Sequence, residues 1–240
     1  MLGTLVAVTL GKMKVVAFDL GDTLVEYKGV PLSWDAHYRE ALASLASFLR
    51  IAPEAIRVEA ACGVLRRYNT RINLREEEIA FSAILQDILR LFDLDAEVEE
   101  LACATAFFRV FRQSLRSFPE VPLALDALRK KKIGIGVFTD VPYGMPSELV
   151  IEDIKETALT EYFDALLTSR CVGFRKPSPI TLKLLAKELS CEPDEMVYVG
   201  NERKDIEVAR AFGCYSVLID RANLGPNWGQ DRTIVSLSEI

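Results

Sequence analysis

Residues 14–25 read K-V-V-A-F-D-L-G-D-T-L-V, and the rest of the fold is predicted outward from this stretch. Its apolar run, residues 15–18, is rich in β-branched and aromatic side chains, which favours a strand buried on both faces, as in a parallel sheet. Asp19 follows directly and lies where open α/β folds bind ligands. Two interpretations stay open at this point: Asp19 is a nucleophile or metal ligand, or it caps the turn that follows.

Beyond residue 118 the sequence alternates between predicted strands and helices. Predicted strands cover residues 133–138, 165–168, 196–199 and 216–219, and predicted helices cover residues 123–131, 147–160, 178–190 and 206–212. Strands that alternate with helices indicate a parallel, doubly wound sheet. The fold class is therefore predicted as α/β, with a Rossmann-like core.

Between residues 27 and 118 the strand signal disappears. Ser33 is a candidate N-cap for a helix with apolar residues at helical spacing, and further helices are predicted over residues 53–68, 75–92 and 96–116. We expect a smaller, wholly helical cap domain over residues 27–118, inserted after the first strand and lying over the carboxyl edge of the sheet. The core domain would then comprise residues 13–26 and 119–240.

The composition excludes some classes of function. The chain has 240 residues, a net charge of −6 and a pI near 5.1, which disfavours nucleic-acid binding and attraction to an anionic membrane. Its five cysteines contain no C-x-x-C pair and there is one histidine, so zinc is disfavoured. We expect buried, reduced thiols in a cytoplasmic protein, and the oligomeric state stays open between monomer and homodimer.

The first twelve residues have uncertain status. The apolar segment there lacks a basic region and a cleavage site, and it is too short to span a bilayer. Either residues 5–10 add an edge strand, or Met13 is the native start and residues 1–12 are an extension. We favour the second interpretation.

Four polar motifs stand near the ends of predicted strands. They read Asp19-Leu20-Gly21-Asp22-Thr23, Thr139, Lys176-Pro177, and Gly200-Asn201 through Asp205. Together they resemble the motifs of the haloacid dehalogenase-like hydrolase superfamily, which are D-x-D-G-T, a Ser or Thr, a Lys often followed by Pro, and an acidic loop such as G-D-x-x-x-D. The likeness covers residues 13–220, and the helical segment matches the first-position cap of that family.

The resemblance implies a phosphohydrolase that acts on a small phosphorylated metabolite. Asp19 would attack phosphorus and form an aspartyl-phosphate, which water then hydrolyses. Mg²⁺ would bridge Asp19 and a phosphate oxygen, with the carbonyl of Gly21 and the side chain of Asn201 or Asp205 as further ligands.

The resemblance also implies a phosphate-binding site. Thr139 would donate a hydrogen bond to a phosphoryl oxygen, and Lys176 would neutralise charge on phosphate and carboxylate. Asp140, directly after Thr139, is assigned to the same site.

Gly21 departs from the family pattern, because the family has there a second Asp that protonates the leaving oxygen and activates water. The acid appears one position later, as Asp22, which either takes over this role in a rewound loop or caps the turn. Asp140 and Glu26 are other possible proton donors. Without an acid, the enzyme would favour good leaving groups such as aryl or acyl phosphates.

Asn201 is the second departure, since many family members have Asp there. An amide oxygen still coordinates Mg²⁺ but brings no charge, so Asp205 would carry more of the binding. These departures motivate a second hypothesis, a catalytically weakened member that binds a phosphorylated ligand or a protein partner.

A third hypothesis is cleavage of a carbon–halogen or carbon–phosphorus bond. Dehalogenases of the family carry Tyr at the position of Gly21 and a Ser-rich fourth motif, and neither is present. The phosphonate branch needs a lysine within the cap, where the only lysine is Lys28, at its start. Both branches are therefore disfavoured.

Some side chains of the predicted cap have two interpretations each. The arginines Arg66, Arg67, Arg71 and Arg75 either grip a phosphorylated substrate or form a solvated helical face, which we favour. Tyr27, Trp34 and Tyr68 either line the substrate pocket or belong to the core. His37 is expected to be structural.

Overall fold

The computed structural model describes residues 12–27, 33–95, 97–112 and 115–240. The strands are β1 (Val15–Phe18), β2 (Val25–Tyr27), β3 (Leu115–Ser117), β4 (Gly134–Thr139), β5 (Ala165–Thr168), β6 (Met196–Gly200), β7 (Tyr215–Ile219) and β8 (Arg232–Ile234). The helices are α1 (Tyr38–Leu49), α2 (Ala55–Tyr68), α3 (Phe81–Leu91), α4 (Glu100–Phe108), α5 (Val121–Lys130), α6 (Ser147–Glu156), α7 (Ser169–Val172), α8 (Ile180–Glu188) and α9 (Arg203–Phe212).

Six strands form one parallel sheet in the order β5-β4-β1-β6-β7-β8. From β1 the chain proceeds to β4 and β5 on one side and later to β6, β7 and β8 on the other. The strand order therefore reverses at β1, and ligands bind at such a switch point in doubly wound sheets. This confirms the predicted fold class and places the end of β1, with Asp19, at the switch point.

Strand β1 is buried on both faces, as its apolar run predicts. Val16 and Phe18 belong to a hydrophobic cluster that includes residues of α5 and α6, whereas Val15 and Ala17 belong to a second cluster with residues of α8 and α9. Helices thus cover both sides of the sheet, and β1 is fixed between two apolar layers.

Helices α1 to α4 lie between β2 and β3, and we call residues 33–111 the helical insertion. Its core is aromatic: Phe81 packs against Phe107 and Phe108, with ring centroids 5.3 and 5.0 Å apart. These residues belong to the same hydrophobic cluster as Val16 and Phe18 of β1. The helical insertion and the sheet therefore share one continuous core.

The expectation of a wholly helical segment over residues 27–118 is wrong at its carboxyl end. Residues 115–117 form β3, which pairs antiparallel with β2, Val25 opposite Ser117 and Tyr27 opposite Leu115. A three-residue strand with a remote partner leaves almost no periodic signal in the sequence. The strand pair joins the two points where the chain enters and leaves the helical insertion.

The predicted helix boundaries in this segment also need correction. Ser33 is not an N-cap, because a 3-10 turn over Asp35–His37 precedes α1 and has Trp34 at its N-cap position. Helix α3 begins at Phe81 rather than at residue 75, and α4 ends at Phe108.

Other expectations have mixed outcomes. Of the cysteines, all free, Cys62, Cys103 and Cys214 are buried as expected, whereas Cys171 is exposed. The sequence missed β8, another three-residue strand. The possible edge strand at residues 5–10 lies outside the described residues. Within the described ranges, no helix has the length and apolar character needed to cross a membrane.

Candidate active site

A cavity of about 260 Å³ lies where the carboxyl edge of the sheet meets the helical insertion. Its floor includes Asp19, Thr139 and Asn201, which follow or end β1, β4 and β6. Its opposite wall includes Trp34 and Phe111 of the helical insertion. Because the carboxyl ends of parallel strands meet at one edge, motifs far apart in the sequence come together here, as predicted.

Asp19 is buried at the cavity floor. Its N–H donates to the carbonyl of Val199 on β6 at 2.8 Å, which fixes the backbone. Its Oδ1 accepts from Lys176 Nζ at 2.5 Å, and the Thr23 hydroxyl lies 3.5 Å from Oδ2. Burial raises the pKa of Asp19 to about 7, although the positive charge of Lys176 opposes this shift.

Lys176 lies beneath the floor, with a fully buried side chain shared between two carboxylates. Its Nζ is 2.5 Å from Asp19 Oδ1 and 2.6 Å from Asp205 Oδ1. Burial alone would lower the pKa of Lys176, but the two carboxylates raise it well above its ordinary value. Lys176 therefore holds a fixed positive charge next to Asp19.

Asp205 has both carboxylate oxygens engaged. Oδ1 accepts from Lys176 at 2.6 Å, and Oδ2 accepts from the N–H of Glu202 at 2.8 Å, within the first turn of α9. Gly200 makes this close approach possible, because a Cβ at that position would lie 2.3 Å from the Asp205 side chain. Asp205 thus positions Lys176.

Asn201 presents its amide oxygen toward Thr23, whose hydroxyl donates to Oδ1 at 3.2 Å. Thr23 therefore contacts both Asp19 and Asn201 and orients the two side chains relative to each other. Among the described residues, no group of three or more His, Cys, Asp or Glu side chains is placed to hold a metal ion. A hard cation at the floor would depend on one carboxylate, the amide oxygen of Asn201 and main-chain oxygen, which are all ligand types that Mg²⁺ accepts.

Thr139 ends β4 and is nearly buried at the cavity floor. Within the described part of the chain, no side-chain or main-chain group forms a hydrogen bond with its hydroxyl. The hydroxyl is thus available to a ligand.

Asp140 is surrounded by positive charge. Its Oδ1 accepts from the N–H of Lys176 at 3.1 Å, and its Oδ2 is 3.0 Å from Lys204 Nζ and 3.8 Å from Arg175. Burial would raise the pKa of Asp140, but Lys204 and Arg175 outweigh it and lower the pKa to about 2. A carboxylate so firmly ionised does not attract a phosphate, so we infer that Asp140 fixes the Lys176 backbone.

The loop at Gly21 and Asp22 departs from an ordinary turn. Asp22 has a φ of 56°, and its N–H donates to the carbonyl of Val25 at 2.7 Å. Its side chain lines the cavity and forms no hydrogen bond with another described residue. Burial raises the pKa of Asp22, and Glu202 adds to this shift. A Cβ at residue 21 would meet the Tyr27 ring at 3.8 Å, so space does not require the glycine.

Of the other candidate proton donors, Glu26 does not line the cavity. It pairs with Arg116 of β3 at 2.6 Å. Asp140 is held ionised, as described above. Asp22 is thus the candidate whose carboxylate faces the cavity without a partner among the described residues.

The arginines singled out in the sequence have different surroundings. Arg71 lines the cavity and pairs with Glu202 at 2.5 Å, whereas Arg66 pairs with Asp35 at 3.0 Å outside the cavity. Arg75 is largely buried and donates to the carbonyl of Tyr68 at 2.9 Å. A solvated face is therefore the wrong interpretation for Arg75, whereas the side chain of Arg71 lines the cavity and is also exposed to solvent.

The aromatic residues that the sequence analysis singles out also differ in their surroundings. Tyr27 and Trp34 line the cavity, whereas the hydroxyl of Tyr68 donates to Asp87 at 2.9 Å, outside it. His37 is 3.5 Å from Glu40 and packs edge-on against Phe111, which agrees with a structural role.

Sequence reasoning missed an ion pair that lines the cavity. Arg112 donates through Nε to Asp153 Oδ1 at 2.6 Å, and the hydroxyl of Tyr27 donates to Asp153 Oδ2 at 3.3 Å. Arg175 was also missed; it donates to Glu78 and to the carbonyl of Val141 at 2.7 Å. Its position next to Lys176 was the one available signal.

The chain is similar to a family model and to curated proteins. A family model described as haloacid dehalogenase-like hydrolase matches residues 13–213 of this chain. Phosphoglycolate phosphatase of Salmonella typhi is 32% identical over 122 residues, which are 51% of this chain and 44% of that protein. The Escherichia coli K12 protein of the same name is 32% identical over 113 residues, 47% of this chain and 42% of its own length. The chain thus spans less than half the length of these relatives.

Solved structures share the fold. A HAD phosphatase from Thermococcus onnurineus has a TM-score of 0.64 and 23% identity, covering 95% of both chains. A 2-haloacid dehalogenase from Pseudomonas syringae pv. Tomato has a TM-score of 0.65 and 23% identity, covering 95% of this chain and 96% of its own.

Proposed function

We propose, because the chain belongs to the haloacid dehalogenase-like hydrolase family, that it is a Mg²⁺-dependent phosphohydrolase. Its substrate would be a small phosphorylated metabolite, hydrolysed through an aspartyl-phosphate on Asp19. The observation that carries the proposal is the pairing of Asp19 with the buried cation of Lys176, at 2.5 Å, at the floor of the cavity. The phosphatase names of the curated relatives support the same reaction.

In the first step, a carboxylate oxygen of Asp19 bonds to phosphorus as the bond from phosphorus to the leaving oxygen breaks. The hydroxyl of Thr139 donates a hydrogen bond to a phosphoryl oxygen. Lys176 supplies fixed positive charge through its contact with Asp19. Positioning and electrostatic stabilisation account for most of the lowering of the barrier in phosphoryl transfer.

Asp22 is the residue we assign to proton transfer. It would give its proton to the leaving oxygen and then take a proton from the water that attacks the aspartyl-phosphate, so that phosphate leaves and Asp19 is restored. The assignment is supported by geometry: the carboxylate lines the cavity, and the left-handed backbone at Asp22, φ 56°, redirects the side chain relative to an ordinary turn.

Mg²⁺, when bound, would supply positive charge beside the phosphate oxygens. We propose that Asp19, Asn201 and the main-chain carbonyl of Gly21 hold it. Asp205, whose oxygens are engaged by Lys176 and by the N–H of Glu202, would position Lys176 instead of binding the metal.

The decisive experiment measures phosphate release from acetyl phosphate and p-nitrophenyl phosphate, with Mg²⁺ and then with EDTA. We expect metal-dependent turnover that Asp19→Asn abolishes. The matched control is Asp194→Asn, the same chemical change at an exposed side chain, which should leave turnover unchanged. Asp22→Asn should lower turnover of both substrates by about 10²–10⁴-fold, because both are hydrolysed through the same aspartyl-phosphate, whose attacking water Asp22 would activate.

The competing hypotheses predict other results. A catalytically weakened binding protein would bind phosphate without turnover above the Asp19→Asn background, and that outcome would reject the phosphatase proposal. Cleavage of a carbon–halogen bond would release halide from a 2-haloacid without Mg²⁺.

A further inference from the structure

The wall of the cavity that faces the floor is aromatic. The rings of Trp34 and Phe111 stack with centroids 3.8 Å apart and planes 7° apart. Tyr143 lies on the same wall, its ring centroid 5.7 Å from that of Trp34. Trp34 precedes α1, Phe111 follows α4 and Tyr143 follows β4, so helical insertion and core both contribute to this wall.

The hydroxyl of Tyr143 is already engaged outside the cavity. It forms a hydrogen bond of 2.5 Å with the hydroxyl of Tyr38, which also accepts from Asn69 Nδ2 at 2.9 Å. Met145 and Val150 continue the lining beside Tyr143. This part of the cavity therefore presents aromatic and aliphatic surface to a ligand.

The positive charges around the cavity are compensated by the protein itself. Each Lys or Arg that lines the cavity, among the described residues, has a carboxylate partner: Arg71 pairs with Glu202, Arg112 with Asp153, Arg175 with Glu78, and Lys204 with Asp140. A ligand carboxylate that recruited Arg112 would leave Asp153, which is 2% exposed, without its cation. Leaving a buried charge uncompensated is strongly unfavourable.

The floor of the cavity is different. There the Thr139 hydroxyl has no hydrogen-bond partner in the described part of the chain, and Lys176 lies beneath Asp19. A phosphate group therefore finds a donor and a positive charge at the floor, whereas the rest of the lining consists mainly of aromatic rings, paired charges and the uncharged side chains of Asn69 and Thr70.

We propose that the natural substrate is a phosphate monoester whose leaving group carries an uncharged aromatic ring and no carboxylate. This inference rests on the proposed function and adds a substrate class to it. The cavity of about 260 Å³ is slightly smaller than typical small-molecule sites of about 300–1,000 Å³, which favours a ligand with a phosphate and one ring over a larger one. Contact of the substrate ring with Trp34 is the recognition element.

The first test compares two unreactive ligands on the unaltered chain by calorimetry. Benzylphosphonate carries a ring, and phosphonoacetate carries a carboxylate. We expect benzylphosphonate to bind with a Kd about 3- to 10-fold lower, which corresponds to the typical contribution of one aromatic pair. Phosphonoacetate binding as tightly, or more tightly, would overturn the inference whether or not the protein turns over any substrate.

The second test locates the ring. The chain has two tryptophans, so Trp228→Phe leaves Trp34 as the single emitter. Saturating benzylphosphonate should change its emission, and unchanged emission would overturn the proposed contact. Trp34→Leu should weaken benzylphosphonate binding by about 3- to 10-fold and leave phosphonoacetate within twofold, whereas Trp34→Phe should restore most of the affinity.

Trp228→Leu is the matched control, because Trp228 is also partly buried but does not line the cavity. It should leave both affinities unchanged. Circular dichroism and the urea midpoint of each variant show whether it is folded, and the comparison of the two ligands on the unaltered chain depends on no variant.

The third test is kinetic. Both 2-phenylethyl phosphate and phosphoglycolate release a primary alcohol, so recognition rather than leaving-group acidity separates them. We expect kcat/KM to be at least 3-fold higher for 2-phenylethyl phosphate, by the same stacking contribution, and a preference for phosphoglycolate would overturn the inference. Acetyl phosphate has no ring, so failure to hydrolyse it rejects the proposed function separately.

Discussion

At the scale of single residues, Lys176 links the geometry of the site to the stability of the fold. One buried ammonium group forms ion pairs with two buried carboxylates, those of Asp19 and Asp205, at 2.5 and 2.6 Å. In a low-dielectric interior such a group is favourable only while all of its members remain, because each charge loses its hydration on folding. Catalytic geometry and stability therefore depend on the same side chain.

Replacing Lys176 with Met should abolish turnover and lower the free energy of unfolding by about 3–5 kcal/mol, because two carboxylates would remain buried without a cation. Urea unfolding measures the change. Adding Asp19→Asn and Asp205→Asn to this variant should recover most of the stability without restoring turnover. Equal stability of the Lys176→Met variant and the unaltered chain would contradict the argument.

The lowered pKa of Asp140 predicts how the free energy of unfolding depends on pH. Its pKa is lowered from 3.8 to about 2 in the folded chain, so its ion pairs stabilise the fold above pH 4, and this contribution is lost as the pH falls toward 2. The difference in free energy of unfolding between the unaltered chain and Asp140→Asn should be about 2 kcal/mol at pH 7 and shrink below pH 4.

Urea unfolding at pH 7, 4 and 3 tests this prediction for Asp140. Exposed Asp194→Asn is the control, and its effect should stay small throughout. A difference for Asp140→Asn that stays constant down to pH 3 would show that its carboxylate is not stabilised by its cations.

Residues 75–80 show, at the scale of elements, how tertiary contacts override local propensity. The stretch R-E-E-E-I-A favours a helix, and the sequence predicts one from residue 75. In the structure, Glu77 forms a bridge with Phe174, and the N–H of Glu78 donates to the carbonyl of Gly173 at 2.9 Å. The segment is thus held along the loop that precedes Lys176.

Glu78→Gln should lower the free energy of unfolding by about 3 kcal/mol and reduce turnover, because Arg175, 4% exposed, would lose its buried carboxylate partner. Glu77→Gln is the matched control at an exposed neighbouring side chain, with an expected change below about 0.5 kcal/mol. Urea unfolding and phosphate release measure the two effects. Similar results for both variants would mean that the ion pair with Arg175 is not required.

At the scale of elements, the sequence predicts best the strands that are bounded by polar residues on both sides. Residues 15–18 and 165–168 are strands with the predicted bounds, because continuous apolar runs between polar residues leave few alternatives. Strands β3 and β8 have three residues each and depend on partners elsewhere in the chain. These two strands form through tertiary contacts, so no local sequence pattern predicts them.

At the scale of the whole molecule, one hydrophobic cluster runs from β1 through α5 into the helices of the helical insertion. The two parts are also joined beside the cavity by the ion pair of Arg71 with Glu202. If either part unfolded alone, the apolar residues of the other part would be exposed to water. We therefore expect the chain to unfold in one cooperative step.

The two tryptophans make cooperative unfolding testable. Trp34 reports on the helical insertion and Trp228 on the core, so the variants Trp228→Phe and Trp34→Phe each contain one reporter. In each variant, the urea midpoint from tryptophan emission should coincide with that from far-UV circular dichroism. A Trp34 transition at lower urea than the loss of helix signal would instead show that the helical insertion unfolds first.

The sequence predicts the floor of the candidate site and only part of its walls. Asp19, Thr139 and Asn201 each lie at or next to the end of a recognisable strand, and topology then brings them together. The pairing of Arg112 with Asp153 joins residues 41 positions apart on different elements, and its partners depend on how the helical insertion packs. Such pairs follow from tertiary packing, which one sequence does not specify locally.

The antiparallel pair of β2 and β3 has a consequence for how this architecture tolerates change. Because Tyr27 lies opposite Leu115, everything between them is topologically the loop of one long hairpin. The entropy of closing such a loop grows only with the logarithm of its length. Segments of quite different size can therefore be exchanged at this point, and the parallel sheet and its floor of polar residues keep their connectivity.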